Sequence, residues 1–115
     1  MNLKITIKNK GDANKLILVS AIGLLESLEN KLLTINECQQ YLFSPYSVSI
    51  LEKEGLERNV IEIVELGCEL EDIESLLPSE LDIEIRELKE RAKKVLKRCE
   101  SKPEFNEDRK WLDQY

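Results

Sequence analysis

Between Arg58 and Arg86 the chain carries nine carboxylates and no lysine or arginine: Glu62, Glu65, Glu69, Glu71, Asp72, Glu74, Glu80, Asp82 and Glu84. Five of them, with Cys68, fall in the single stretch GCELEDIESLLPSE, Gly67 to Glu80. Carboxylates at this density suit three kinds of chemistry. They hold hard cations such as Mg²⁺ or Mn²⁺, which accept oxygen ligands alone. A pair of them works as general acid and base when one is buried and the other wet. Or they present a negative surface to a basic partner.

The first two options find little support in the spacing. No Asp-x-Asp loop with a turn glycine is present, and no Glu-x-x-His. The chain has no histidine at all. That removes Ser-His-Asp and Cys-His nucleophilic systems, most zinc and non-haem iron sites, and the side chain that titrates most readily near neutral pH. Ser47, Ser49 and Tyr46 have no base to activate them, and the four glycines form no phosphate loop. Cys38 and Cys99 lie on apolar faces and read as small core residues. Cys68, read as the start of a helix, is the one thiol whose pKa that position would lower.

Helix polarity explains much of the acidic pattern without a ligand. Glu69, Glu71 and Asp72 fall at one expected helix start, Glu80 and Asp82 at the next. Negative charge there gains about 0.3–1 kcal/mol per residue from the helix dipole. The balance reverses from Arg86 to Lys102, with eight basic residues against Glu87, Glu90 and Glu100. If Gly67 does not break the helix, however, Glu62, Glu65, Glu69 and Asp72 line one face. With Glu71 they are the residues expected to meet a basic partner.

The elements that must position these side chains are mostly helices. Residues 3–8, LKITIK, alternate with period two and predict a half-buried strand. A helix capped by Asp12 or Asn14 is expected to run to about Asn30, apolar nearly all round between Leu16 and Leu25 and therefore central. Gly23 within it suggests either the close approach of a neighbour or a tolerated cost of about 1 kcal/mol. TINE, Thr34 to Glu37, reads as a capping box, and Ser44–Pro45 as an N-cap followed by proline at the first helical position. Residues 46–50 also alternate like a strand, but the Ser-Pro start and the Gly55 stop agree on a helix. A helix follows to Leu66, ended by Gly67. A short one runs to Leu77, stopped by Pro78. The last buries Leu81, Ile85, Leu88, Ala92, Val95, Leu96 and Cys99 on one face. Asp82–Arg86, Glu87–Arg91 and Glu90–Lys94 are acid-before-base pairs four apart along it. The expected fold is mainly α: a small helical domain of five to six helices with one N-terminal β-strand over residues 1–102, then a polar tail over 103–115 around Phe105, Trp111 and Leu112.

The totals bound the rest. A chain of 115 residues fits one domain with a real core. A net charge of −6 disfavours binding to nucleic acid. A helix-turn-helix over 35–54 is a poor recognition unit, with only Lys53 against Glu52 and Glu54. Three widely spaced cysteines suit reduced thiols in a cytoplasmic protein. MNLKITIKNKGD has no apolar h-region, and LILVSAIGLL, at Leu16–Leu25, is shorter than the roughly 20 residues a bilayer needs. A lone strand leaves backbone groups unpaired. The simplest remedy is the same strand of a second copy, antiparallel about a two-fold axis; the competing outcome is pairing with residues 46–50 inside one chain.

The run VIEIVELGCELEDIESLLPSEL, with the preceding LFSP, resembles a family of small uncharacterised bacterial proteins classed as a domain of unknown function. The likeness spans roughly Leu16 to Leu96. It implies a small bacterial cytoplasmic protein, and it carries no catalytic or binding residue. Residues and resemblance together predict a non-enzymatic protein-interaction or regulatory protein of the inhibitor or immunity type. No cofactor is expected. Its partners would be another protein and a second copy of itself, with neither nucleic acid nor membrane. The alternative is a carboxylate-dependent metal-binding protein or enzyme.

Overall fold

The computed structural model describes residues 1–99 and 110–114. It is mainly helical. Strand β1 (Leu3–Ile5) is followed by α1 (Lys10–Glu29), α2 (Ile35–Tyr41), α3 (Pro45–Lys53), α4 (Arg58–Cys68), α5 (Leu70–Leu76), a 3-10 turn at Pro78–Glu80, α6 (Leu81–Arg98) and strand β2 (Leu112–Gln114). Among the described residues four helices of nine to twenty residues, α1, α3, α4 and α6, make the frame, instead of the five to six expected. The other two segments, α2 and α5, have seven residues each. No helix among the described residues is long and apolar enough to cross a membrane.

The local signals for helix starts hold where the donors and acceptors are close in sequence. Thr34 and Glu37 form a reciprocal capping box. The Ser44 side chain accepts from the Ser47 N–H ahead of Pro45, and α3 ends at Gly55 with φ 74°. Residues 46–50 are therefore helix. The cap of α1 differs from expectation. Asn9, not Asp12 or Asn14, accepts from the Asp12 N–H, and its own amide donates to Asp12 Oδ2 at 2.9 Å. Asp12 and Asn14 are instead buried within the first turns, and Asn14 Oδ1 accepts the Glu57 N–H at 3.2 Å.

Helix α1 is the spine. It buries Leu18, Ala21, Leu25 and Leu28, while Val19 is 45% exposed, so it is covered on one side rather than all round. Gly23 meets no neighbour within 4 Å, which makes it a tolerated glycine and not a close approach. Helix α6 lies antiparallel along α1 and packs Ile85, Leu88, Ala92 and Val95 onto the same core as Val60, Ile63 and Val64 of α4. Polar contacts lock the pairing. Lys89 of α6, only 10% exposed, sits 2.5 Å from Glu26 Oε2 and 2.5 Å from Glu29 Oε2. Lys31 meets Asp82 at 3.4 Å and Arg86 meets Glu29 at 3.7 Å. The expected acid-before-base pairs within α6 give way to these bridges between helices.

The strand departs most from expectation. β1 covers three residues, and Leu3 and Ile5 are 69% and 54% exposed, so it is not half-buried. It is not alone either. Leu3, Lys4 and Ile5 pair antiparallel with Gln114, Asp113 and Leu112, and the Thr6 N–H donates to the Trp111 carbonyl at 3.0 Å. The backbone of β1 thus finds partners within the chain, and the hydrogen-bond argument for a second copy falls away. Of the expected polar tail, 103–109 and 115 lie outside the described residues, Phe105 among them.

Candidate functional site

The acidic segment forms one ridge. Gly67 is inside α4 and does not end it. The chain passes from α4 into α5 through Glu69, whose φ of −78° and ψ of −14° keep it in the right-handed helical region. The Glu69 N–H donates to the Leu66 carbonyl at 3.1 Å, and the Ile73 N–H to the Glu69 carbonyl at 3.2 Å. Cys68 is accordingly the last residue of one helix rather than the N-cap of the next. Burial, with the neighbouring Glu69 charge adding to it, pushes its thiol up rather than down. Burial raises Cys99 as well, and lifts Cys38 to about 11 with help from Glu37.

The five expected partner-binding residues divide into two groups. Glu62 accepts from Arg91 Nη2 of α6 at 2.8 Å and lies 3.9 Å from Arg58. Glu65 pairs with the Arg58 guanidinium. Glu71 accepts from the Gln39 amide of α2 at 2.6 Å. Glu62 and Glu71 tie the ridge to α6 and α2, while the Glu65 pair lies within α4. Glu69 and Asp72 are exposed, and among the described residues nothing pairs with their side chains. Glu74 and Glu80 share that condition.

The end of the ridge holds a feature the sequence reading missed. Leu76 and Leu77, which close α5 ahead of Pro78, are 77% and 57% exposed. The signal was present: two leucines before a proline in an acidic run have few routes back to a core. Beside the ridge, Leu66, Leu70, Ile73 and Leu88 floor a cleft of about 190 Å³ edged by Glu69, Glu84, Glu87 and Arg91. Among the described residues no group of three or more Asp, Glu or Cys side chains is placed to hold a metal ion.

What the arrangement can do follows from charge and exposure. Glu62 and Glu65 have their negative charge answered by arginines of the same chain. The exposed carboxylates farther along have no such answer among the described residues, and their field extends about one Debye length, roughly 8 Å at physiological salt. A negative surface ending in bare leucines offers steering by charge and an anchor by burial.

Residues 8–113 match the model of a family described as "Protein of unknown function (DUF3969)". The match includes all of the stretch from Leu16 to Leu96 and extends beyond it at both ends. No curated protein and no solved structure matches the chain.

Proposed function

The chain belongs to the DUF3969 family, whose function is unknown, and we propose that it is a non-enzymatic protein that binds another protein through the outer end of the α4–α5 ridge. One observation carries this reading. Glu69, Asp72 and Glu74 are exposed and unpaired among the described residues, on a ridge that ends in exposed Leu76 and Leu77. Acids held by Arg58, Arg91 or Gln39 need no partner, whereas these acids find no such contact among the described residues and are left for a partner from outside.

The partner has a stated chemistry: a basic rim around an apolar centre. Charge brings the two surfaces together and sets the rate of encounter. Burial of the two leucines supplies affinity, at about 25 cal/mol per Å² of apolar surface removed from water. An inhibitor or immunity-type factor, which must find a basic target quickly, is the class of protein this surface serves.

The test is capture from cells of the source organism by tagged wild-type protein and by the double variant Glu69→Lys/Asp72→Lys. Gln40→Lys, an exposed change on α2, serves as control. The reading expects a partner retained by wild type and control and lost by the double variant. A partner captured equally by all three removes the ridge as the contact surface.

A further inference from the structure

At the opposite pole of the molecule lies a groove of about 630 Å³, walled by β1 and its link to α1 on one side and by α3 on the other. Its floor is apolar, with Ile5 54% and Ile50 40% exposed and Ile17 beneath them. Lys4, Lys8 and Lys10 line its edge, and Glu54 is the only carboxylate among its described lining residues. Lys10 is the first residue of α1, so the groove sits at the start of that helix. The Lys31–Asp82 bridge holds the other end of α1 beside the start of α6, six residues beyond Leu76. Twenty residues of helix span about 30 Å, so groove and leucine tip lie near opposite ends of α1, too far apart to meet within one chain.

The two surfaces are complementary. The tip offers Leu76 and Leu77 flanked by Asp72, Glu74 and Glu80; the groove offers isoleucines flanked by three lysines. We propose that the tip of the ridge docks in the groove of a second copy of this chain, so that copies join head to tail. The inference rests on the reading of the ridge as a protein-binding face and names the partner: the N-terminal strand and first turn of α1 of another copy. Because the joined surfaces differ, the contact is heterologous. It closes into a ring if the rotation between copies permits and otherwise extends. A second copy thus engages the N-terminal strand as a groove wall, not as a hydrogen-bonded neighbour.

The experiment is light scattering on wild type, on the groove variant Lys8→Glu/Lys10→Glu, and on the tip variant Glu74→Lys/Leu76→Lys. All four positions are exposed, and circular dichroism checks that each variant stays folded. Wild type is expected to rise above 13.4 kDa with concentration and to fall back as salt is added. Each variant alone should stay at 13.4 kDa. The mixture of the two should form a one-to-one pair, because it reunites one intact tip with one intact groove. Wild type that stays monomeric at millimolar concentration overturns the inference. So does wild type whose assembly both variants leave unchanged. So too does a monomer whose groove amides shift only on titration with an acidic, leucine-bearing peptide of foreign sequence. In each of these cases the capture experiment with Glu69 and Asp72 still decides the ridge reading separately.

Discussion

Gly67 packs closely against the ring of Phe43. A β-carbon at Gly67 would fall 2.4 Å from Phe43 Cδ1 and 2.6 Å from its Cγ. Phe43 is fully buried, with 1% of its surface exposed, so the ring has no room to retreat. The glycine therefore serves packing between α4 and the link from α2 to α3, not termination. Gly67→Ala tests this. Helix propensity alone favours alanine by about 1 kcal/mol, while overpacking a filled core costs about 1–3 kcal/mol. With backbone atoms on one side and a trapped ring on the other, the expected outcome is a net loss of about 1–2 kcal/mol in denaturant unfolding. Trimming the ring as well, in Phe43→Leu, should make the double variant less costly than the two single changes summed.

Lys89 joins α1 to α6 at two carboxylates. Its hydrogen bond to Glu26, seconded by the one to Glu29, raises the Lys89 pKa above its ordinary 10.5. The Lys89 bond in turn, with help from Asn30, lowers Glu26 below its ordinary 4.5. A carboxylate with a depressed folded pKa contributes stability above its unfolded pKa and loses it as pH falls through the folded one. A lysine with a raised pKa contributes below 10.5 and loses it as pH climbs past the folded value. Stability should therefore drop below about pH 4.5 in wild type, and part of that drop should be missing in Lys89→Met. Urea midpoints at pH 7 and pH 3 for both proteins measure it. Equal acid losses would show that the bridge is not coupled to folding.

Cys38 is 1% exposed and its thiol is pushed up to about 11 by burial. Thiolate is the reactive form. A maleimide at pH 7.5 should leave Cys38 unlabelled in the native protein over hours and label it at once in urea, as peptide mass spectrometry would report. Rapid native labelling would mean that the α2 face opens freely.

Some of this architecture was legible in the residues and some was not, and the division is physical. Thr34–Glu37, Ser44–Pro45 and Gly55 act within one turn, so their partners stand beside them in the sequence. The face of α6 from Ile85 to Val95 is legible for the same reason, since a helix repeats its geometry locally. Gly67 misled because its reason is Phe43, distant in sequence. The strand misled because its partner is only three residues long, Leu112–Gln114, inside a polar tail. Nothing near Lys89 in the sequence marks its role, because Glu26 and Glu29 stand about sixty residues away. The acidic segment was legible as a cluster. Its split into bridged and unpaired members was not, since that depends on where Arg58, Arg91 and Gln39 arrive.

That split has a consequence for stability. Glu69→Ala and Asp72→Ala break no side-chain contact among the described residues, and each should change unfolding free energy by less than about 0.5 kcal/mol. Glu62→Ala removes a bridge from α4 to α6 and should cost up to about 1 kcal/mol, the upper range for exposed ion pairs. Thermal melts of the three variants side by side supply the comparison. A larger loss at Glu69 or Asp72 than at Glu62 would mean that the unpaired acids belong to the fold after all.

The account stands or falls on the outer ridge as a contact surface. Titration of the captured partner into wild type and into Glu69→Lys/Asp72→Lys, at equal low salt, measures that most directly. The account predicts at least a tenfold loss of affinity, about 1.4 kcal/mol, in a variant as stable as wild type. Equal affinity in the two proteins would contradict it.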